Sequence, residues 1–251
     1  MSVRVHESSE SLATAVATEL LARLAAAQEA GGTPQIGLTG GTIADQLHRE
    51  VARLAPASPV DWSRVVVWWG DERFVDSSSS DRNAVQAREA FLSQVGVDPA
   101  NVHEIPSASE VATAEEAAGA YSAALREYGA GSFTVLMLGI GPDAHIASLF
   151  PHFPQLEVED EIAVAVHDSP KPPPDRVTLT FPALNRADEV WFLASGEGKA
   201  DAVAAALAPT GAVPDTPARG IAPTGTVTWH LDPAAAAAAM HEHVALVSDV
   251  A

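Results

Sequence analysis

The residues best suited to chemistry lie in one glycine-rich segment, Gly139-Ile140-Gly141-Pro142-Asp143-Ala144-His145. Asp143 and His145 are two apart, so both side chains can project into one loop concavity. A carboxylate beside an imidazole fixes its tautomer and supports the charge that develops when the ring takes a proton. That is the pattern of a general base acting on water. No Gly-x-Ser-x-Gly elbow occurs, so a serine nucleophile finds no support. The chain has no cysteine, which removes thiol nucleophiles, disulfides and thiolate metal sites together. The structural alternative for the segment is a helix-capping Asp and a hydrogen-bonded loop His.

Three further segments suit an anion. In Leu38-Thr39-Gly40-Gly41-Thr42, Gly40 and Gly41 let the backbone turn tightly. The helix that follows aims its free N–H groups at the same spot, and Thr42 adds a hydroxyl donor. The segment is neither a dinucleotide fingerprint nor a Walker loop. Read alone, it is equally an ordinary strand-to-helix turn. Arg176, after Lys171-Pro172-Pro173-Pro174-Asp175, opens a strand and can offer a two-pronged fork to a phosphate. Lys199, in Ser195-Gly196-Glu197-Gly198-Lys199, stands at a helix start, where a bound anion would offset the unfavourable dipole. Asp71, Glu72 and Arg73 follow the buried run ending at Trp69. They place charge at a strand end, as a substrate site or as a self-satisfied cluster in which Arg73 pairs with Asp71.

These segments need elements to position them. Leu12, Val16, Leu20 and Leu24 make one stripe of a helix over residues 10–28. Ile43, Leu47, Val51 and Leu54 do the same for a second helix. Asn83 is expected to cap a helix ending near Val95, and Thr113 with Glu116 to form a capping box for a helix reaching Tyr128. Strands are expected at Val3–His6, Gln35–Leu38, Arg64–Trp69, Phe133–Leu138, Ile162–His167, Val177–Thr180 and Glu189–Ala194. Helices are expected at Lys199–Leu207 and Ala234–Met240, with a long loop over 209–224 between them. Strands alternate with helices, which argues an α/β fold with a mainly parallel sheet. Ligands of such sheets bind beyond the carboxyl ends of the strands, and Thr39–Thr42, Gly70–Arg73, Gly139–His145 and Ser195–Lys199 all follow predicted strands.

Composition sets the outer bounds. At 251 residues, one domain with its core over about 3–240 is expected, two small domains being the alternative. The last residues, roughly 241–251, are expected to fray. The net charge of −19 argues against nucleic acid as a partner. Any phosphate site must therefore be a local basic cluster, and only two of the 14 basic residues are lysines, Lys171 and Lys199. No apolar run is long enough to span a bilayer, and the start lacks a secretory signal, so a cytoplasmic monomer without membrane contact is expected. The remaining histidines carry no metal-ligand spacing, and His241-Glu242-His243 is expected to be solvated; no metal or cofactor is expected.

Taken together, Thr39–Thr42, Trp69–Val75, Gly139–His145 with Ser148–Pro151, Lys171–Arg176 and Gly198-Lys199 resemble the 6-phosphogluconolactonases in order and spacing. The resemblance runs from residue 3 to about 240, and the Pro-Lys-Pro-Pro-Pro stretch is most similar to the actinobacterial branch. It implies a Rossmann-like three-layer α/β sandwich, shared with glucosamine-6-phosphate deaminases. It implies hydrolysis of 6-phospho-D-glucono-1,5-lactone to 6-phospho-D-gluconate in the oxidative pentose phosphate pathway. It places His145 as the base and the glycine loop, Arg176 and Lys199 at the phosphate. On the reading adopted here, Asp143 orients His145, and Arg73 stabilises the substrate or its developing negative oxygen. Three departures stand out: Ala144 where the family usually has Gly, Arg82 before Asn83 where Ser is common, and Thr42-Ile43-Ala44 for Ser-Thr-Pro. Two rivals remain. A deaminase or isomerase would want an acidic residue a few positions beyond the histidine, and Ser148-Leu149-Phe150-Pro151 offers none. A non-catalytic sugar-phosphate sensor would normally carry a DNA-binding segment, against which the acidic charge and the lack of a spare helix-turn-helix region count.

Overall fold

The computed structural model describes residues 1–242. The expectations for His241-Glu242-His243 and for fraying over 241–251 lie outside the described side chains and residues.

The chain opens with β1 (Ser2–Val5) and α1 (Ser9–Glu29), whose start is closed by a reciprocal Ser8–Ser11 capping box. Leu12, Val16, Leu20 and Leu24 are all buried, as their spacing predicts. β2 (Gln35–Leu38) leads through Thr39–Gly41 into α2 (Thr42–Leu54), and β3 (Val66–Trp69) follows. The chain then passes Gly70 into β4 (Asp71–Arg73), and later enters α3 (Asn83–Ala87), a π-helical stretch over Arg88–Leu92, and α4 (Ser93–Val95). Next come α5 (Ala114–Tyr128), β5 (Val135–Gly139), β6 (Ala163–Val166) and β7 (Arg176–Leu179). The order finishes with α6 (Phe181–Leu184), β8 (Glu189–Ala194), α7 (Ala200–Leu207), β9 (Thr226–Leu231) and α8 (Pro233–Glu242).

Six strands form one parallel sheet in the order β1-β9-β8-β5-β2-β3. Helices flank it; α1 packs on α2 and α7 on α8. Strand order reverses between β2 and β5. From β2 the chain steps outward to β3, and from β5 it steps the other way to β8 and β9. The loops leaving β2 and β5 diverge there, which opens a crevice at their carboxyl ends. The core around the sheet is strongly apolar, with Trp68, Trp69, Trp191 and Phe192 almost wholly enclosed.

A second sheet, β4-β7-β6, is antiparallel. Gly70 joins the two sheets: its N–H donates to Leu38 O at 3.1 Å, and its carbonyl accepts from Leu179 N at 2.9 Å. Four local expectations change here. Asp71–Arg73, expected as charge at a strand end, forms a short strand of its own, and the two mid-chain strands pair antiparallel, away from the main sheet. Thr226–Leu231 is a sixth parallel strand that no sequence signal marked. Asn83 is the first residue of its helix, not its cap. The capping role falls to Glu72, whose carboxylate accepts from Asn83 N and Ala84 N, each at 2.8 Å. At α5, Thr113 accepts from Glu116 N, but the Glu116 carboxylate accepts from Ala112 N, so the box is offset by one residue.

Candidate active site

Five loops meet at the crevice between β2 and β5. Gly139 N donates to Thr39 Oγ1 at 3.3 Å, tying the loop after β5 to the loop after β2. Gly41 sits at φ +102, a conformation that suits glycine, and α2 begins directly after it with no side-chain cap. The first intrahelical acceptor is Gly41 O, bonded by Asp45 N, so the N–H groups of Thr42, Ile43 and Ala44 are left for an external partner.

The loop after β5 closes on itself through Gly141 N to His145 O at 2.8 Å and Ala144 N to Gly141 O at 3.0 Å. His145 Nδ1 lies 2.5 Å from Asp143 Oδ1. Burial alone would raise the Asp143 carboxyl, but the hydrogen bond and charge of His145, its own N–H and the charge of Lys171 together hold it at about 2. Asp143 is therefore a carboxylate at neutral pH and can only accept. In the neutral ring the proton belongs on Nδ1, which leaves the lone pair on Nε2. The ring lies against buried Phe150, with centroids 4.6 Å apart.

The turn needs unusual backbone. Ala144 and Ala147 have φ of +61 and +47, a region that costs a residue with a β-carbon. The departure from glycine at 144 is thus a strained position, not merely a stiffer one. Both Ala144, in this turn, and Ala118, mid-way along α5, are buried. Ala118→Gly is expected to lower the melting temperature by about 2–4 °C, from roughly 1 kcal/mol of lost helix propensity plus the buried methyl. Ala144→Gly loses the same methyl but relieves the left-handed strain of about 1–2 kcal/mol. It should leave the melting temperature unchanged or raised. Equal losses in thermal melts of the two variants would disprove stored strain at Ala144.

Basic groups approach from three sides. Lys199 Nζ donates to Ile140 O at 2.7 Å, and burial, then the nearby charge of Lys171, lowers its pKa against the pull of Asp143. The two lysines and the Asp143–His145 pair therefore share one space. Arg176 is buried; its guanidinium donates to the carbonyls of Lys171, Pro172 and Pro173, at 3.0–3.5 Å, and lies 5.7 Å over the Phe150 ring. It holds the Lys171 loop, and its Nη1 enters none of these bonds. Arg73 stands directly opposite Arg176 across β4 and β7. Its Nη1 donates to Asp81 O and to Asn83 Oδ1, and its Nη2 makes no hydrogen bond within the described residues.

The Arg73–Asp71 pairing is not made. Asp71 is buried and accepts from Ser148 Oγ at 2.7 Å, locking β4 to the segment just past His145. Glu72 is pushed up to about 7 by burial, against the charge of Arg82 and the N–H groups of Ala84, Asn83 and Arg73. Sequence reasoning missed Glu72, Asn83, Ser148 and Phe150 as supports, and the approach of Lys171 to Asp143. The charged residues of β4 and the proline loop were a signal; the Ser148–Asp71 contact, across 77 residues, had none. Among the described residues, no three or more His, Asp or Glu side chains gather where they could hold a metal ion. No helix there is long and apolar enough to cross a membrane.

Residues 7–229 match the family described as glucosamine-6-phosphate isomerases/6-phosphogluconolactonase. The chain is 42% identical over 244 residues to a 6-phosphogluconolactonase of Streptomyces coelicolor, covering 92% of each chain. It is 42% identical over 245 residues to that of Mycobacterium tuberculosis, covering 94% of this chain and 97% of the other. By shape, it matches a monomeric glucosamine-6-phosphate deaminase with a TM-score of 0.82 at 18% identity, over 95% of this chain and all of that one. The shared fold thus spans both activities, and side chains must tell them apart. On the matched residues, this chain belongs to the glucosamine-6-phosphate isomerase/6-phosphogluconolactonase family.

Proposed function

We propose that this chain hydrolyses 6-phospho-D-glucono-1,5-lactone to 6-phospho-D-gluconate, as one catalytic domain acting as a cytoplasmic monomer. The observation that carries the reading is the His145–Asp143 pair, with Nε2 open, beside a basic cluster in an otherwise acidic chain. His145 Nε2 takes a proton from water, and the hydroxide so formed attacks the lactone carbonyl. Arg73 Nη2 stabilises the oxygen that gains negative charge. The tetrahedral intermediate collapses, the C–O bond to the ring oxygen breaks, and protonated His145 returns its proton to that oxygen. The phosphate rests on the free N–H groups at the start of α2, beside Gly40, Gly41 and Thr42. Lys199 and Arg176 supply charge there, and Asp71 sets the wall through Ser148.

A deaminase reading lacks support at the position beyond the histidine. Ser148 is fully buried and already donates to Asp71, and Leu149 and Phe150 are core residues. An assay on phosphorylated and plain gluconolactone, with glucosamine 6-phosphate alongside, tests the reading. Turnover of the amino sugar alone would overturn it.

Losing Lys199 removes a charged hydrogen bond worth roughly 1.5–3 kcal/mol. Lys199→Ala is expected to lower kcat/KM for the phosphorylated lactone by about 10–100-fold. Plain lactone should be almost unaffected. Arg176→Ala should show the same bias, plus a stability loss from the freed Lys171 loop carbonyls. If either variant slows both lactones equally, that residue holds structure and is not at the phosphate. Exhaustive chelation is expected to leave activity intact; a loss restored by one added metal would contradict this mechanism.

A further inference from the structure

We propose that Asn83 is a positioning residue for the reaction, acting through Arg73: its side-chain amide sets where the Arg73 guanidinium points. The inference rests on the lactonase reading for its kinetic consequence but not for its geometry. Asn83 is 3% exposed, and both ends of its amide are used. Oδ1 accepts from Arg73 Nη1, and Nδ2 donates to Asp71 O at 3.0 Å. A guanidinium can only donate, so the oxygen must face Arg73 and the amide has one orientation. The main chain of Asn83 is fixed independently, because Glu72 Oε1 accepts from both Arg73 N at 2.9 Å and Asn83 N at 2.8 Å. One carboxylate oxygen thereby ties the backbones of the two residues together.

The amide also fills the space beside Gly40. A β-carbon at position 40 would overlap Asn83 Oδ1. Asn83 therefore sits between the anion loop and Arg73. With Nη1 held by Asn83 and by Asp81 O, and Nε buried, Nη2 is the donor left for a substrate oxygen. Without Asn83, one of the two acceptors that fix the fork is gone, and the fork can rotate. Misdirection of a preorganised donor appears in kcat rather than in KM.

The test combines kinetics with nitrogen-15 NMR of the arginine side chains in the full chain. Asn83→Ala should lower kcat by about 10–100-fold on phosphorylated and plain lactone alike, with KM within about threefold. Arg73→Ala with Asn83→Ala together should be no slower than Arg73→Ala alone, because the two act as a unit. Rotation of the Arg73 guanidinium should be hindered in the parent protein and free in Asn83→Ala. Asn83→Asp keeps the acceptor for Arg73 but sets an oxygen against Asp71 O, so it should keep the hindered rotation at a cost in stability.

Multiplicative losses in the double variant would overturn the inference. So would a KM effect confined to the phosphorylated lactone, which would make Asn83 a support of the anion loop only. Unchanged Arg73 rotation in Asn83→Ala would overturn it whether or not the protein turns over lactone, which separates its failure from that of the lactonase reading. If Asn83→Ala does not fold, Gly40→Ala displaces the same oxygen and must release Arg73 rotation in its place.

Discussion

His145→Ala is expected to lower kcat by about 10²–10⁴-fold while changing KM little, the usual scale for removing a general base. The case rests on one nitrogen. Asp143 is held ionised at about 2 and accepts at Nδ1, so in the neutral ring the lone pair lies on Nε2. Phe150 backs the ring and leaves it one orientation. Asp143→Asn should cost less than His145→Ala, since an amide oxygen still accepts from Nδ1 but no longer supports the imidazolium with a full charge. Steady-state kinetics of both variants decide the matter. A wild-type kcat in His145→Ala would eliminate the ring as base.

Gly141→Ala should come close to the same loss without touching a catalytic group. A β-carbon there would overlap Nδ1 and Cε1 of His145 and come within 2.5 Å of Asp143 Oδ1. The ring and its orienting carboxylate must both move, and the ring is confined by Phe150 behind it and by the 141–145 turn, closed by two main-chain bonds. A displacement of about 1 Å can cost on the order of 10² in rate. The expected result is a kcat near that of His145→Ala, with KM for the phosphorylated lactone changed less, because the overlap falls on His145 and Asp143 and not on the anion loop. Near-normal kcat would mean that the turn relaxes and that Gly141 is needed only for the backbone.

The sequence was most informative where a pattern is local. Leucines at four-residue spacing placed α1, apolar runs placed β2, β3 and β8, and glycines after strands marked the crevice. It was silent where the pattern is contradicted locally and rescued by tertiary pairing. Three consecutive charged residues do not read as a strand, yet Asp71–Arg73 pairs with β7 because the buried ends of Asp71 and Glu72 find Ser148 and the start of α3. Thr226–Leu231 follows a loop rich in Pro, Gly and Thr, and its threonines look like a continuation of it. Only its place between β1 and β8 makes it a strand. The chemically apt residues were named, but what they hold was not. Arg176 and Lys199 already hold main-chain carbonyls, Asp71 is held by a serine far along the chain, and Arg73 is aimed by an asparagine expected to cap a helix.

The register of the small sheet sets Arg73 against Arg176, whose pKa is lowered by burial and, less, by the charge of Arg73. Like charges directly opposite weaken a strand pair. Both fan away toward carbonyl oxygens, and the charges of Asp71 and Glu72 offset the repulsion at Arg176. On the proposed function, a phosphate at Arg176 would add a further negative partner. By linkage, whatever binds the folded state alone also deepens the well in which it sits. The idle protein is then the looser form, and its lifetime against unfolding and proteolysis rises and falls with the supply of the molecule it consumes.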